Sequence, residues 1–203
     1  MSLQLAIDSI RKGYNIAGVT VVISDKEQTL LQSSLGVTDH KTSEPLSPRH
    51  YVRVGSVSKV MLGLTAIQLE NQGTLDLNAP LINYVPNLPI NNPWREQQPV
   101  TFAQLIEHSA GLTDMTRLEW ESHSPLSLKQ AFAVDPSSRT IKWQPGLHCS
   151  YSNSGAGIAA YVIEHVTGKN FEDVVTQQVF APIGLTSATY RLTEAVRESL
   201  ISG

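Results

Sequence analysis

Two short stretches of the chain bring together side chains capable of covalent chemistry. In "RVGSVSKVMLGL", residues 53–64, Ser56 and Lys59 stand three apart, which at helical spacing puts both on one face. A serine hydroxyl is a poor nucleophile until a neighbouring base takes its proton, and an amine held in its neutral form can be that base. The lysine is also out of place as a helix residue. With Gly55 as breaker and Ser56 as cap, Lys59 is the third helical residue, where a capping box wants Glu or Gln and the helix field disfavours a cation by roughly 0.3–1 kcal/mol. In "CSYSNSG", residues 149–155, Tyr151 and Asn153 form a YxN pair. A phenol beside an ammonium favours its phenolate and becomes a proton shuttle, while an amide offers a donor and an acceptor to a substrate or to the lysine.

Each signal also has a plain structural reading. Ser9 and Lys12 in "SIRK" match SxxK equally well inside an ordinary amphipathic segment. Ser56 then reads as a helix cap, Lys59 as a solvated helix residue, Tyr151 as a half-buried aromatic and Asn153 as a cap.

The elements that must position these residues are legible from periodicity and punctuation. "LQLAIDSIRKG" reads as a short amphipathic helix ended by Gly13. "GVTVVISD" and "QTLLQSSLGV" are β-rich runs separated by polar residues 25–27 and read as an antiparallel hairpin. The helix that opens at Ser56 runs to about Gly73. A Pro- and Asn-rich stretch, 74–99, follows with one helical turn near 81–85, then helices near 101–109 and 127–133. "SNSGAGIAAYVIEHVTG" predicts a long helix of small and apolar residues, "NFEDVVTQQVFAPIG" another closed by Pro182 and Gly184, and "LTEAVRESLISG" reads as helical or frayed.

The chain has 203 residues, 41% apolar and 16% charged, which is ample for one core and thin for two. Its net charge of −3 and the lack of any Lys or Arg run argue against a nucleic-acid partner. Cys149 stands alone, so no intrachain disulfide forms, and no Cys/His spacing suits a metal. Cys149 is expected to be a small packed residue. No apolar run approaches the ~20 residues of a membrane span. No leader is visible, so the compartment stays open: periplasmic or secreted if one was removed, otherwise cytoplasmic.

The order SxxK then YxN, with the text around each, resembles the serine β-lactamase and penicillin-binding-protein family in its class C, D,D-peptidase and esterase branch. "VRVGSVSKVMLGLTAIQLENQGTLDLNAPLINYVPNLP" resembles the nucleophile helix and following loop, and "VTFAQLIEHSAGLTD" the His-Thr-Ser-Gly-Leu segment. "WQPGLHCSYSNSGAGIAAYVIEHVTGKNFEDVVTQQVFAPIGL" resembles the stretch that bears the second motif. The resemblance implies an α/β (α+β) fold of the β-lactamase/transpeptidase type, one domain over 1–203 with helix and hairpin in 1–40 and a helical region at 50–190. It implies a serine hydrolase acting through an acyl-enzyme on Ser56, with Lys59 activating it, Tyr151 relaying the proton and Asn153 orienting a substrate amide. The substrate would be a β-lactam, a D-Ala-D-Ala-like peptide or an ester. No cofactor or metal is implied, and His108, Gly111 and Leu112 read as structural.

The family's third motif, Lys-Thr-Gly or His-x-Gly on a late strand, is absent from the sequence; the lone Lys-Thr, Lys41 and Thr42, lies too early. The central sheet is therefore expected to be short of strands, with an exposed hairpin edge and apolar face. A homodimer or a complementing chain is the expected remedy, and an inactive or truncated binding module is the alternative to an enzyme.

Overall fold

A computed structural model describes residues 2–121 and 126–201, which divide into two compact units: residues 1–55 with 191–203, and residues 56–190. The fold is mixed α/β, with helices and a two-stranded antiparallel sheet among the described residues.

In the first unit, helix α1 (Leu3–Gly13) starts at Ser2, whose hydroxyl accepts the Leu5 N–H at 3.3 Å. Asp8 draws both basic residues of the last turn onto one carboxylate, Arg11 at 2.8 Å and Lys12 at 2.7 Å. Arg11 also donates to the carbonyls of Ile16 and Ala17, tying the helix end to the strand that follows. Strands β1 (Gly18–Ser24) and β2 (Thr29–Gly36) pair in the register Val19↔Leu35, Val21↔Ser33, Ile23↔Leu31, with a bulge at Ile23/Ser24. The alternation of side chains across a strand puts those residues on the face that α1 covers, where Gln4 donates to Ser33 at 3.0 Å, and leaves Val22 on the exposed face. Asp25 closes the turn by accepting the N–H groups of Glu27 and Gln28, both at 2.8 Å. Residues Glu194–Ser199 form a last helix, and Tyr51 pairs in parallel with Leu200 through bonds of 2.8 and 3.0 Å.

The second unit is helical. Helix α2 (Ser58–Asn71) buries Leu62, Ala66 and Leu69. Helix α3 (Phe102–Ile106) is closed by a capping box between Thr101 and Gln104 and buries Phe102 and Leu105. Two short helices, α4 (Arg117–Trp120) and α5 (Leu128–Val134), precede α6 (Asn153–Thr167), which buries Ile158, Ala159, Val162 and Ile163. Helix α7 (Phe171–Val175) adds Val174 and Val175 and runs into a wide turn, Thr176–Phe180, in which the Ala181 N–H reaches the Thr176 carbonyl at 2.9 Å. The 74–99 stretch plugs the core with Leu75, Leu81 and Val85. At Gly155 an added Cβ would meet the Leu105 carbonyl oxygen at 3.1 Å, so the small residue lets α6 approach α3.

Helix α2 is apolar on both sides. Opposite its buried face, Val60, Leu64 and Ile67 are exposed, a stripe that an ordinary surface helix would carry as polar residues. The fold class expected from the sequence is the one observed. Two expectations need correction. Cys149 is exposed, with its sulfur only in loose contact with the Glu107 carbonyl at 3.7 Å, because residues 148–150 form an irregular surface stretch outside the core. Ser56 does not cap α2: the chain makes a tight turn over Gly55–Val57, entered through the left-handed Gly55 (φ 53°), and Val57 takes the cap position without a side-chain bond. Lys59 is thus the second helical residue, and the Ser56 hydroxyl is released from capping.

Candidate active site

All four residues named from the sequence lie in the second unit, and the structure brings their polar atoms into one hydrogen-bonded cluster. The freed Ser56 Oγ lies 2.7 Å from Tyr151 Oη and receives a bond from Lys59 Nζ at 3.4 Å. Lys59 Nζ donates to Asn153 Oδ1 at 2.8 Å, and the Tyr151 hydroxyl reaches the same oxygen at 3.4 Å. The ammonium also sits 5.0 Å from the centre of the Tyr151 ring. Lys59 is half-buried, whereas Ser56 and Tyr151 are exposed, so the nucleophile candidate faces solvent while the cation behind it is held by protein atoms.

Each side of the cluster is fixed by its own elements. On the α2 side, the Tyr190 hydroxyl donates to the Ser58 carbonyl at 2.6 Å and its ring packs against Phe171 and Phe180, anchoring the first turn of the helix. On the α6 side, Ser152 is the cap: its hydroxyl accepts the Gly155 N–H at 3.3 Å and donates to the Thr113 carbonyl at 2.9 Å. This corrects the plain reading of Asn153 as the cap; Asn153 is the first helical residue, so its side chain is left to meet Lys59.

The 108–115 segment passes behind both motif residues. Gly111 adopts φ 76°, and a Cβ there would collide with the Trp143 carbonyl, so only glycine lets this stretch cross the 140–143 backbone, to which it bonds through Thr113 N to Thr140 O at 2.9 Å and Lys142 N to Gly111 O at 2.8 Å. His108 is held in the left-handed region at φ 61°, a conformation that costs an L residue roughly 1–2 kcal/mol. Its carbonyl accepts the Ser150 N–H at 2.7 Å, its Nδ1 accepts the Ser152 N–H at 3.3 Å, and its ring lies 4.3 Å from that of Tyr151. Since Nδ1 accepts from a backbone N–H, the neutral ring carries its proton on Nε2. Asp114 accepts the Asn153 backbone N–H at 2.6 Å and its side-chain Nδ2 at 3.1 Å.

The electrostatics follow from these contacts. Hydrogen bonds from Lys59 and then Ser56 hold the Tyr151 phenol below its ordinary range, opposed by slight burial and by the Asp114 charge. Burial and then the Lys59 charge push His108 below its usual value, and Asp114 acts the other way. Asp114 closes the "HSAGLTD" run, where a carboxylate after a turn glycine carries no periodic signal in the sequence. No group of three or more His, Cys, Asp or Glu residues that could hold a metal occurs among the described residues, and none of their helices is long and apolar enough to cross a membrane.

The family model described as Beta-lactamase matches residues 3–201. The chain belongs to that family. The D-alanyl-D-alanine-carboxypeptidase/endopeptidase AmpH of Escherichia coli K12 is 26% identical over 186 residues, covering 90% of this chain and 48% of the relative. Among solved structures, the D-amino acid amidase of Ochrobactrum anthropi, with L-phenylalanine bound, superposes with a TM-score of 0.80 at 26% identity, covering 99% of this chain and 55% of that one. EstCE1, a hydrolase with promiscuous acyltransferase activity, shares the fold at TM-score 0.83 and 21% identity, over 98% of this chain and 55% of that one. The chain spans less than half the length of the curated relatives it matches.

Proposed function

We propose that the protein is a serine hydrolase that works through an acyl-enzyme on Ser56. The observation that carries this reading is the 2.7 Å approach of Ser56 Oγ to a phenol that Lys59 and Ser56 hold below its ordinary range. In the proposed sequence, Ser56 Oγ attacks a substrate carbonyl as its proton passes to the Tyr151 phenolate. Lys59 activates the serine by favouring that phenolate and by its own bond to Oγ. The oxyanion develops near the Ser56 N–H at the entry to α2, where the helix field favours negative charge. Tyr151 then protonates the leaving group, the carbonyl–leaving-group bond breaks, and an ester to Ser56 remains. Water attacks that ester, giving its proton to Tyr151, and the carboxylic acid departs as Ser56 regains its hydrogen. Asn153, fixed on one side by Lys59, offers its amide N–H to a substrate carbonyl.

The substrate class proposed is a β-lactam, a D-Ala-D-Ala-like peptide or a small ester, which the similarity to the carboxypeptidase/endopeptidase AmpH and to the amidase supports at the level of acyl transfer. Labelling with a fluorescent penicillin and with a fluorophosphonate tests it: label is expected on the wild type and lost in Ser56→Ala. Label retained by Ser56→Ala removes the nucleophile assignment. The alternative reading is a binding module without turnover. Absence of label on the wild type with both probes favours that reading. A partner, either a second copy or a complementing chain that covers the Val60, Leu64 and Ile67 stripe, belongs to the same proposal. Sedimentation as an ideal monomer at all concentrations removes the second copy.

A further inference from the structure

Asn153 can meet Lys59 through its oxygen only if something turns the amide that way. An amide is nearly symmetric in shape, so its partners decide which end is oxygen. Here Oδ1 faces the Lys59 ammonium at 2.8 Å and Nδ2 faces Asp114 Oδ2 at 3.1 Å. The reversed amide would set an NH2 against an ammonium and a carbonyl against a carboxylate, two repulsions in place of two attractions. Asp114 Oδ1 also takes the Asn153 backbone N–H at 2.6 Å, so one carboxylate grips both the main chain and the side chain of the same residue. Its Oδ1 accepts the Met115 N–H as well, at 2.8 Å, which fixes the carboxylate itself.

We propose that Asp114 is a positioning residue that sets the direction of the Asn153 amide and thereby the place of Lys59 beside Ser56 and Tyr151. It acts through Asn153 and need not touch substrate. Asp114 is exposed at the rim, so solvent screens its charge and the grip on the amide is its main effect. The proposal rests on the acyl-enzyme reading for its kinetic consequence but not for its structural one, and the test separates the two.

In the wild type, the Asn153 backbone amide proton is expected far downfield in a 15N-correlated NMR spectrum, as a short bond to a carboxylate requires. An ordinary shift there overturns the proposal whether or not the protein labels, and whether or not any variant folds. With Asp114→Asn, the fluorophosphonate labelling rate is expected to fall on the order of 10- to 100-fold at its plateau, the scale of a small misplacement in a catalytic cluster. Because the Lys59 bond is the largest cause of the lowered Tyr151 phenol, displacing Lys59 should at the same time move the acid limb of labelling to higher pH, against the smaller opposite effect of removing the Asp114 charge. Ultraviolet titration of the phenol, with Tyr151→Phe as the blank, should show the same upward move without any reaction. Asp114→Glu, which keeps the carboxylate, should recover part of the rate. An unchanged plateau overturns the proposal. So does a limb that moves down, which would mean that Asp114 acts on Tyr151 by its charge and not through the place of Lys59.

Discussion

Ser9–Lys12 and Ser56–Lys59 are the same four-residue pattern, each at a helical spacing, and they have opposite surroundings. In α1 the lysine lies with 68% of its side chain exposed and is paired at 2.7 Å with Asp8, one turn earlier on the same helix. Its cation is satisfied locally, and Ser9 is an exposed residue with no partner role in the unit's hydrogen bonding among the described contacts. In α2 the preceding turn carries no carboxylate, so Lys59 finds its partners across the fold, at Asn153 and Ser56. The serines differ for a similar reason. Ser56 sits in the tight turn before its helix, next to a glycine with positive φ, and its hydroxyl reaches Tyr151. A motif becomes a site when its local partners are removed and distant ones are supplied.

The largest effects should divide the two pairs cleanly. Ser56→Ala is expected to abolish covalent labelling and Ser9→Ala to leave it unchanged, read by gel fluorescence; an equal loss in both would break the comparison. Lys59→Met should lower the labelling rate by about 10²–10⁴, the usual scale for a proton-transfer group, while Lys12→Met leaves it alone. The rate constants of the two variants, measured against wild type at one pH, decide this.

A smaller effect concerns the support behind the second pair. His108 is held below its usual pKa by burial and Lys59, and it faces Asp114, the Tyr151 ring and the Ser152 N–H. Between its lowered folded value and the ordinary value near 6.5, the unfolded chain binds more protons than the folded one, so stability rises with pH through this window and falls as pH drops. Chemical denaturation at a series of pH values should show that slope, and His108→Gln should flatten it. The smallest effect is expected at the first pair. Asp8→Asn removes the ion pairs to Arg11 and Lys12 at the surface, which salt already screens, and should lower the melting temperature slightly at low ionic strength and less at high.

Much of the fold was legible because its elements carry strong periodic or punctuating signals. The α1 periodicity ended by Gly13, the two β-rich runs around polar 25–27, and the small apolar run that becomes α6 all correspond to observed elements. One single turn, near 81–85, was legible and is observed at Leu81–Asn83, but α4 and the Pro136–Arg139 turn, each four residues long, were too short for any periodicity to register. The predicted long helix from Asn170 is likewise split by the wide turn at Thr176–Phe180, a change in hydrogen-bond pairing that leaves side-chain spacing nearly intact. The cap of α2 was misjudged because Ser is a strong cap former by type, and only the conformation of Gly55 moves the helix start beyond it.

By itself, the sequence determined the elements, the family resemblance and the four polar side chains of the cluster. Those follow from residue type and near-neighbour spacing, which local physics reads directly. Only the tertiary structure decided that Ser56 is free of its cap, that Tyr151 stands against it, and that His108 and Asp114 hold the YxN pair in place. These are contacts between residues far apart in the chain, set by how α2, α6 and the 108–115 segment pack. Nothing in the spacing of Ser9 and Lys12 distinguishes them from Ser56 and Lys59; the packing around each pair does.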